Sequence, residues 1–461
     1  MVKHIERAAA QPIPYIREFP LIGSLPAMMR KDRLTFFVRA TQHRAVSGLH
    51  MGPIPLILFN RAEHVQSILV EHAYDFGKGQ LIHKAFGGNG LFVSEGEFHR
   101  HQRKLMAPLF QPRHIAAYAE TMVQSAERLQ QEWQNGEVVD LNSHMIALTM
   151  SVIGKALFDA DVFNETDELG AAMSMVYEYT VQKLFSPLMP PLSWPTPRNL
   201  RYRKAMQVLQ NRIQHMIDER HTSSTLRKDF LSVLLQAKDE DGKPMSDEQL
   251  MDECLTLFGA GHETTSAALT WTWYLLCQHP HVYQKAQQEV QSVLQGRSPT
   301  YEDLARLPYC LQVFKETLRL YPAAAGIVRE ALQDIEIGGY LVPKGYTVIV
   351  SPYILHRTPA YFPDPETFDP ERFAPEREKQ LPRYAYLPFG AGPRICLGNH
   401  LALMEGHLLI ATLAQRVHLT LVPGQTIEPD PVHNLALRPG GKVEVVVKKR
   451  DLSPARRSPA K

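Results

Sequence analysis

The stretch Phe389-Gly390-Ala391-Gly392-Pro393-Arg394-Ile395-Cys396-Leu397-Gly398 decides how the rest of the chain is read. A lone cysteine is ordinarily an inert, buried, small hydrophobe, and Cys254, Cys277 and Cys310 take that reading. The neighbours of Cys396 make sense only around a ligand. Gly390 and Gly392 permit a tight turn whose backbone N–H groups would point at a sulfur and stabilise a thiolate. A helix is expected to start just after Cys396, and its N-terminal dipole is expected to lower the thiol pKa further. Gly398 would let that helix approach a flat cofactor, Phe389 would shield the sulfur from water, and Arg394 would pair with a carboxylate.

This loop resembles the haem-binding loop of the cytochrome P450 family, Phe-Gly-x-Gly-x-Arg-x-Cys-x-Gly. Every fixed position is matched, at Phe389, Gly390, Gly392, Arg394, Cys396 and Gly398. The resemblance implies haem b (iron protoporphyrin IX) with Cys396 as its axial thiolate. It also implies a mainly α fold with small β-sheets, in which the haem lies between a long central helix and the helix that follows the cysteine loop.

Working outward, Glu316 and Arg319 in KETLRLYP are about one helical turn apart and share a face. Alone, such a pair is more often a surface ion pair than anything else. Pro370-Glu371-Arg372-Phe373 is similar to the family's loop in which an arginine joins that pair. The resemblance therefore implies a structural role for Glu316, Arg319 and Arg372, a buried charge network that fixes the loop leading to Cys396.

The best-defined helix is expected from Ser246 to about Gln278, with Ser246 and Gln249 as a capping box and Pro280 as a stop. At 1.5 Å per residue it would span roughly 50 Å and cross the whole molecule. Its apolar length argues for burial, yet its centre reads Gly259-Ala260-Gly261-His262-Glu263-Thr264-Thr265. Glycines, a carboxylate and hydroxyls are costly in a buried helix, so something functional is expected to offset them. AGHETT resembles the family's oxygen-activation segment. By that resemblance Ala260 and Gly261 make room at the haem, while Thr264 and Glu263 handle protons. The competing reading of Thr264 is a hydroxyl bonded back to the carbonyl of Ala260. His262 is read as a packing residue.

Haem carboxylates need cationic partners. The segment 96–103 resembles the family's propionate helix, with His99 and Arg103 in the contact positions, and Arg394 and Arg329 match further propionate positions. Matching the preceding segment places Phe86 over the distal face. The run 323–328, including Ala324 and Ile327, would line the pocket opposite, where small side chains imply a roomy apolar cavity. The stretch Met51–Arg61 has no arginine–tyrosine pair of the kind that anchors a carboxylate in some fatty-acid-hydroxylating relatives.

Elsewhere, residues 1–34 read as a proline-punctuated arm, 35–447 as a single catalytic domain, and the basic tail 448–461 as disordered. Strands are expected at Leu49–Asn60 and between Ile327 and Val350, with helices over most of Ala62–Leu320. Lys plus Arg number 50 against 48 Asp plus Glu, a balance that argues against nucleic acid as a partner. No apolar run has signal-peptide or membrane-span length, and four scattered cysteines fit a reducing cytoplasm, so a soluble, monomeric, cytoplasmic protein is expected. Only about 65 residues (461 minus 396) follow Cys396, too few for a fused reductase domain. Electrons are therefore expected from a separate ferredoxin or flavodoxin with its reductase, docking near Arg100, Arg103 and Lys104. The function implied is a monooxygenase that hydroxylates or epoxidises a hydrophobic small molecule such as a lipid, terpenoid or steroid. A peroxide-driven peroxygenase or lyase is the alternative, disfavoured by the Glu263–Thr264 pair; a gas sensor or electron carrier is disfavoured by the roomy cavity.

Overall fold

A helix of 32 residues, Asp247–Gln278, runs through the middle of the molecule and organises the rest. Ser246 caps it by accepting the Gln249 N–H at 3.2 Å. The expected capping box is only half made. The Gln249 side chain instead donates to the Asn89 carbonyl at 3.2 Å and to Glu253 Oε1 at 2.7 Å. The structure, a computed structural model, describes residues 11–450 apart from 17–18, 31, 42–43, 163–164, 186–188, 223–228, 238–241 and 432–434.

Helices Leu141–Phe158, Thr166–Phe185, Pro197–Thr222, Pro308–Leu320 and Asn399–Arg416 surround the central one. Close crossings explain its glycines. A Cβ on Gly261 would lie 2.7 Å from Ile153 Cδ1, and one on Gly259 would lie 2.7 Å from the Tyr177 hydroxyl. At the C-terminal half, Trp271 stacks on Tyr321 with centroids 3.8 Å apart and donates its indole N–H to the Leu437 carbonyl at 2.8 Å. These aromatic contacts belong to the main apolar core, in which buried Leu, Ile, Val and Met from all these helices interlock.

A five-stranded sheet packs beside this helical body, in the order Val46–Met51, Ile54–Phe59, Thr347–Val350, Ile327–Ala331, Phe76–Gly77. Its first pair is an antiparallel hairpin with Val46 opposite Phe59. Strand Thr347–Val350 then joins in parallel, which requires a crossover through most of the chain. The strands expected between Ile327 and Val350 divide between two sheets: Ile335–Ile337 pairs with Tyr340–Val342, while Ile327–Ala331 and Thr347–Val350 belong to the larger sheet.

The expectation of a mainly α fold with small sheets is met. The arm is attached to the sheet, with Ile16 N–H bonded to Gly48 O at 3.0 Å, and residue 34 falls inside helix Arg33–Thr41 rather than at a boundary. Residues 448–450, read as part of the tail, are held against the rest of the chain. Lys448 and Lys449 end strand Glu444–Lys449, and the Arg450 guanidinium donates to the Ala414 carbonyl at 2.7 Å. Cross-strand partners on Val417–Leu421 supply the order that local composition does not. The remainder of the tail, 451–461, lies outside the described residues.

Candidate active site

The cysteine loop is held from both sides. Gly390 and Gly392 have φ of 71° and 70°, and a Cβ on Gly392 would fall 1.8 Å from the Leu69 carbonyl oxygen, so only glycine fits there. The Cys396 N–H donates to the Phe389 carbonyl at 2.9 Å, which closes the turn. Helix Asn399–Arg416 starts three residues after the cysteine. The N–H directed at the sulfur belongs to Gly398, not to the glycines of the turn. Cys396 keeps accessible surface as a residue, although protein atoms crowd around its sulfur.

The expectation of a depressed thiol is not met by the protein alone. Burial pushes the Cys396 pKa up, and the Gly398 N–H and the Arg103 charge pull it down by less. One N–H and one cation do not outweigh the desolvation of a thiolate. A coordinated metal ion deprotonates a thiol outright.

Behind the loop lies the charge network. Arg319 donates to Glu316 through two parallel bonds, Nε to Oε2 at 2.7 Å and Nη2 to Oε1 at 2.8 Å, and both side chains are wholly buried. Its remaining donors go to the carbonyls of His356, Pro365 and Thr367 at 3.0, 2.7 and 3.0 Å. Arg372 stands 3.4 Å from Glu316 Oε1 and donates to the Asp364 carbonyl at 2.9 Å. The structure therefore brings Glu316, Arg319 and Arg372 together across more than fifty residues of sequence.

Four basic side chains and one imidazole converge at the other edge of the loop. His99 is pushed down to about 4 by burial and by Arg394, Arg103, Lys78 and Arg329. Arg329 is lowered to about 10 by burial and Arg394, and Lys78 is lowered well below the usual lysine range by burial, Arg329 and Arg394. Among the described residues a single carboxylate, Glu95, faces this group. It accepts from Arg394 Nη2 and from the Lys78 backbone N–H. Arg394 Nη1 is buried and has no hydrogen-bond partner. Lys78 and Glu95 carry no motif, and sequence reasoning missed both; the family loop identified Arg394 but not the carboxylate that already holds it.

Along the central helix, Ala260 and Thr264 are exposed, whereas His262, Glu263 and Thr265 beside them are buried. The Thr264 hydroxyl donates to the Ala260 carbonyl at 2.8 Å, so the local reading of that side chain is realised on an accessible face. Glu263 turns away from it. Its Oε1 accepts the Ala436 N–H at 3.3 Å and lies 3.9 Å from Arg438 Nε, and its carboxyl is raised to about 7, chiefly by burial. Gly261 is filled by Ile153, so helix packing accounts for it. His262 is buried and bonded through Nδ1 to the Phe258 carbonyl at 2.8 Å, as a packing residue should be.

Phe86, half-buried at the end of helix Gly79–Phe86, packs on Phe92 with centroids 4.8 Å apart. Ala324 is exposed, and Ile327 Cδ1 would be the nearest atom, at 3.7 Å, to a Cβ on Gly390. Ile327 thus joins the pocket run to the cysteine loop. Among the described residues no helix is long and apolar enough to cross a membrane.

These side chains fit a haem. Cys396 keeps accessible surface, the cationic cluster exceeds the one carboxylate that faces it among the described residues, and one buried guanidinium nitrogen has no partner there. A porphyrin dicarboxylate would supply what Arg394, Arg329, Arg103, His99 and Lys78 lack.

Comparison with known proteins agrees. The family described as Cytochrome P450 matches residues 13–446. Cyclooctatin synthase from Streptomyces melanosporofaciens is 38% identical over 91% of this chain and 92% of its own. Cyclooctat-9-en-7-ol 5-monooxygenase from the same organism is 37% identical over 88% and 89%. Pentalenene oxygenase from Streptomyces avermitilis is 30% identical over 89% and 92%. Among solved structures, the retinoic acid-bound cyanobacterial CYP120A1 superposes with a TM-score of 0.85 at 27% identity, covering 96% of this chain and all of that one. Matched along nearly its whole length by a profile, by sequence relatives and by fold, the chain belongs to the cytochrome P450 family and, like the relatives so named, is a monooxygenase.

Proposed function

We propose that this monooxygenase oxygenates a terpenoid, an apolar alkene or alkenol, with Cys396 as the axial ligand of haem b. The observation that carries the haem assignment is Cys396, accessible as a residue, beside a cationic cluster faced by a single carboxylate among the described residues. The substrate class rests on the relatives, whose names carry the alkenol cyclooctat-9-en-7-ol and pentalenene. The apolar side chains of Phe86, Ala324 and Ile327 suit such a molecule.

When bound, a haem with thiolate ligation supplies activation of dioxygen for insertion of one oxygen atom into a C–H or C=C bond. The chain's own residues would divide the remaining work. Gly398 N–H and Arg103 offset charge on the Cys396 sulfur, and Phe389 covers the loop on the core side. Arg394, Arg329, Arg103, His99 and Lys78 would bind the two haem carboxylates, with Glu95 orienting Arg394. On the distal side Ala260 leaves space and the Thr264 hydroxyl would pass a proton at Oγ1. Glu263, near-neutral in pKa, would hold the next proton on its carboxyl, oriented by Ala436 N–H and Arg438.

Two electrons per turnover must come from a redox partner. A ferredoxin or flavodoxin fits the exposed face carrying Arg100 and Lys104, although Arg100 is already paired with Glu97 at 3.0 Å. The test is a substrate-binding titration: pentalenene or cyclooctat-9-en-7-ol added to the holoprotein should shift the Soret band toward the high-spin form. Absence of any shift with apolar alkenes, together with a shift from fatty acids, would replace the substrate class.

A further inference from the structure

The residues that follow Phe86 are fastened to the N-terminal half of the central helix. Glu253 is wholly buried, and its Oε2 accepts the Leu91 N–H at 2.8 Å. One turn earlier, Gln249 bonds both Glu253 Oε1 at 2.7 Å and the Asn89 carbonyl at 3.2 Å. Asp252 Oδ2 accepts the Asn89 N–H at 2.6 Å. The fit between loop and helix is close. A Cβ on Gly90 would fall 2.2 Å from Thr256 Oγ1 and 2.7 Å from the Asp252 carbonyl oxygen.

Three side chains at 249, 252 and 253 lie within about one helical turn, so they present one edge of the helix to the loop. They satisfy the backbone of Asn89 and Leu91, which no strand or helix would otherwise pair. Leu91 is buried, and the Gly90 carbonyl accepts the N–H groups of Val93 and Ser94 at 3.0 Å each, so the anchored segment is a compact turn. The turn holds Phe86 and Phe92 in contact on its two sides, and Phe92 in turn lies under the Lys78 ammonium at 4.0 Å. Among the described residues no cation is bonded to Glu253, whose carboxyl is raised by burial and lowered by Leu91 N–H and Gln249, so the loop N–H and Gln249 are its stabilising partners. Loop and carboxylate depend on each other.

We infer that Glu253, with Gln249, Asp252 and the bare backbone of Gly90, is a positioning device that holds Phe86 over the substrate pocket and so controls ligand entry and the site of oxygenation. The assignment of Phe86 to the pocket rests on the proposed function; the clasp itself does not. Glu253 touches neither substrate nor haem in this reading and acts through the loop.

The test compares Glu253→Gln, which keeps an oxygen acceptor for Leu91, with Glu253→Leu, which removes it. Amide hydrogen exchange of the holoprotein over residues 86–94 should quicken about tenfold in Glu253→Leu, the equivalent of one net hydrogen bond, and change little in Glu253→Gln. The rate at which 4-phenylimidazole binds the ferric haem should rise in parallel, and the ratio of products from any accepted alkene should change. Haem content and the carbon monoxide band should stay as in the parent. Should Glu253→Leu fail to fold, Gln249→Met and Gly90→Ala weaken the same clasp from its rim and from the loop side. Unchanged exchange and an unchanged 4-phenylimidazole rate in the folded variants would overturn the inference. A missing thiolate band in the parent would instead overturn the haem assignment, while leaving the exchange result to stand or fall alone.

Discussion

The imidazole of His356 donates from Nδ1 to the Arg319 carbonyl at 3.2 Å, while its Nε2 accepts the Leu387 N–H at 2.7 Å. A backbone N–H can only donate, so the ring is neutral with its proton on Nδ1. Burial is the main reason its pKa falls to about 3. His356 thus transmits the position of the Glu316–Arg319 pair to the strand of chain that enters the cysteine loop. Arg319→Lys should break the paired hydrogen bonds and leave a buried carboxylate short of donors, at a cost of about 3–5 kcal/mol. Thermal unfolding and haem content of the purified protein measure it, and a variant as stable as the parent would refute the network's role.

Gly392→Ala and Gly398→Ala should separate. The first meets the Leu69 carbonyl in a positive-φ turn and should displace the loop, whereas the nearest atom to a Cβ on Gly398 is Phe110 Cε1 at an ordinary 3.9 Å. Far-ultraviolet dichroism and melting should report damage to the apoprotein only for Gly392→Ala. Gly398→Ala should fold and yet retain haem poorly, because the proposed role of this glycine is to let the helix start approach the cofactor.

Thr264→Ala should leave the haem spectrum intact and lower the product formed per NADPH consumed in a reconstituted ferredoxin system. Arg438→Met should do the same through Glu263, whose carboxyl it faces at 3.9 Å. Replacing a relay group commonly costs on the order of tenfold or more in rate. Full coupling in both variants would remove Glu263 and Thr264 from the proton path.

The pH dependence of stability follows from two opposed sets of buried groups. Glu253 and Glu263 are both raised to about 7, so between about pH 4.5 and 7 the folded chain holds protons that the unfolded chain has lost. Stability from these groups falls as pH rises through that window. His262 and His407 are both lowered to about 4, so the unfolded chain binds their protons first, and stability falls as pH drops from 6.5 toward 4. The two sets offset each other below pH 6.5, and only the carboxyls still titrate above it. Glu263→Gln should therefore stabilise the protein more at pH 8 than at pH 5, by on the order of 1–3 kcal/mol in urea titrations. A difference of the opposite sign would show that Glu263 is ionised and well solvated.

Much of this arrangement could be read from the sequence because it is local. The central helix announces itself through Ser246, Pro280 and its largely apolar length, and the cysteine loop through two glycines at positive φ. What escaped is made by contacts across long separations. Glu95 and Arg394 are 299 residues apart, and Glu263 meets Ala436 across 173. Nothing near Lys78 or Glu95 marks either as part of a charged cluster. Gly261 was read as space for the haem, yet its neighbour Ile153 comes from a helix whose crossing point no periodicity fixes. The thiol pKa went astray for a related reason: dipole and hydrogen bonds are visible in a motif, but desolvation depends on everything folded around it.

The claim on which the rest depends is thiolate ligation by Cys396. Its most direct measurement is the difference spectrum of the dithionite-reduced protein with carbon monoxide. The account predicts the red-shifted Soret band of a thiolate-ligated haem in the parent chain and its disappearance in Cys396→Ala. An unshifted band in the parent, or a red-shifted band that persists in Cys396→Ala, would contradict it.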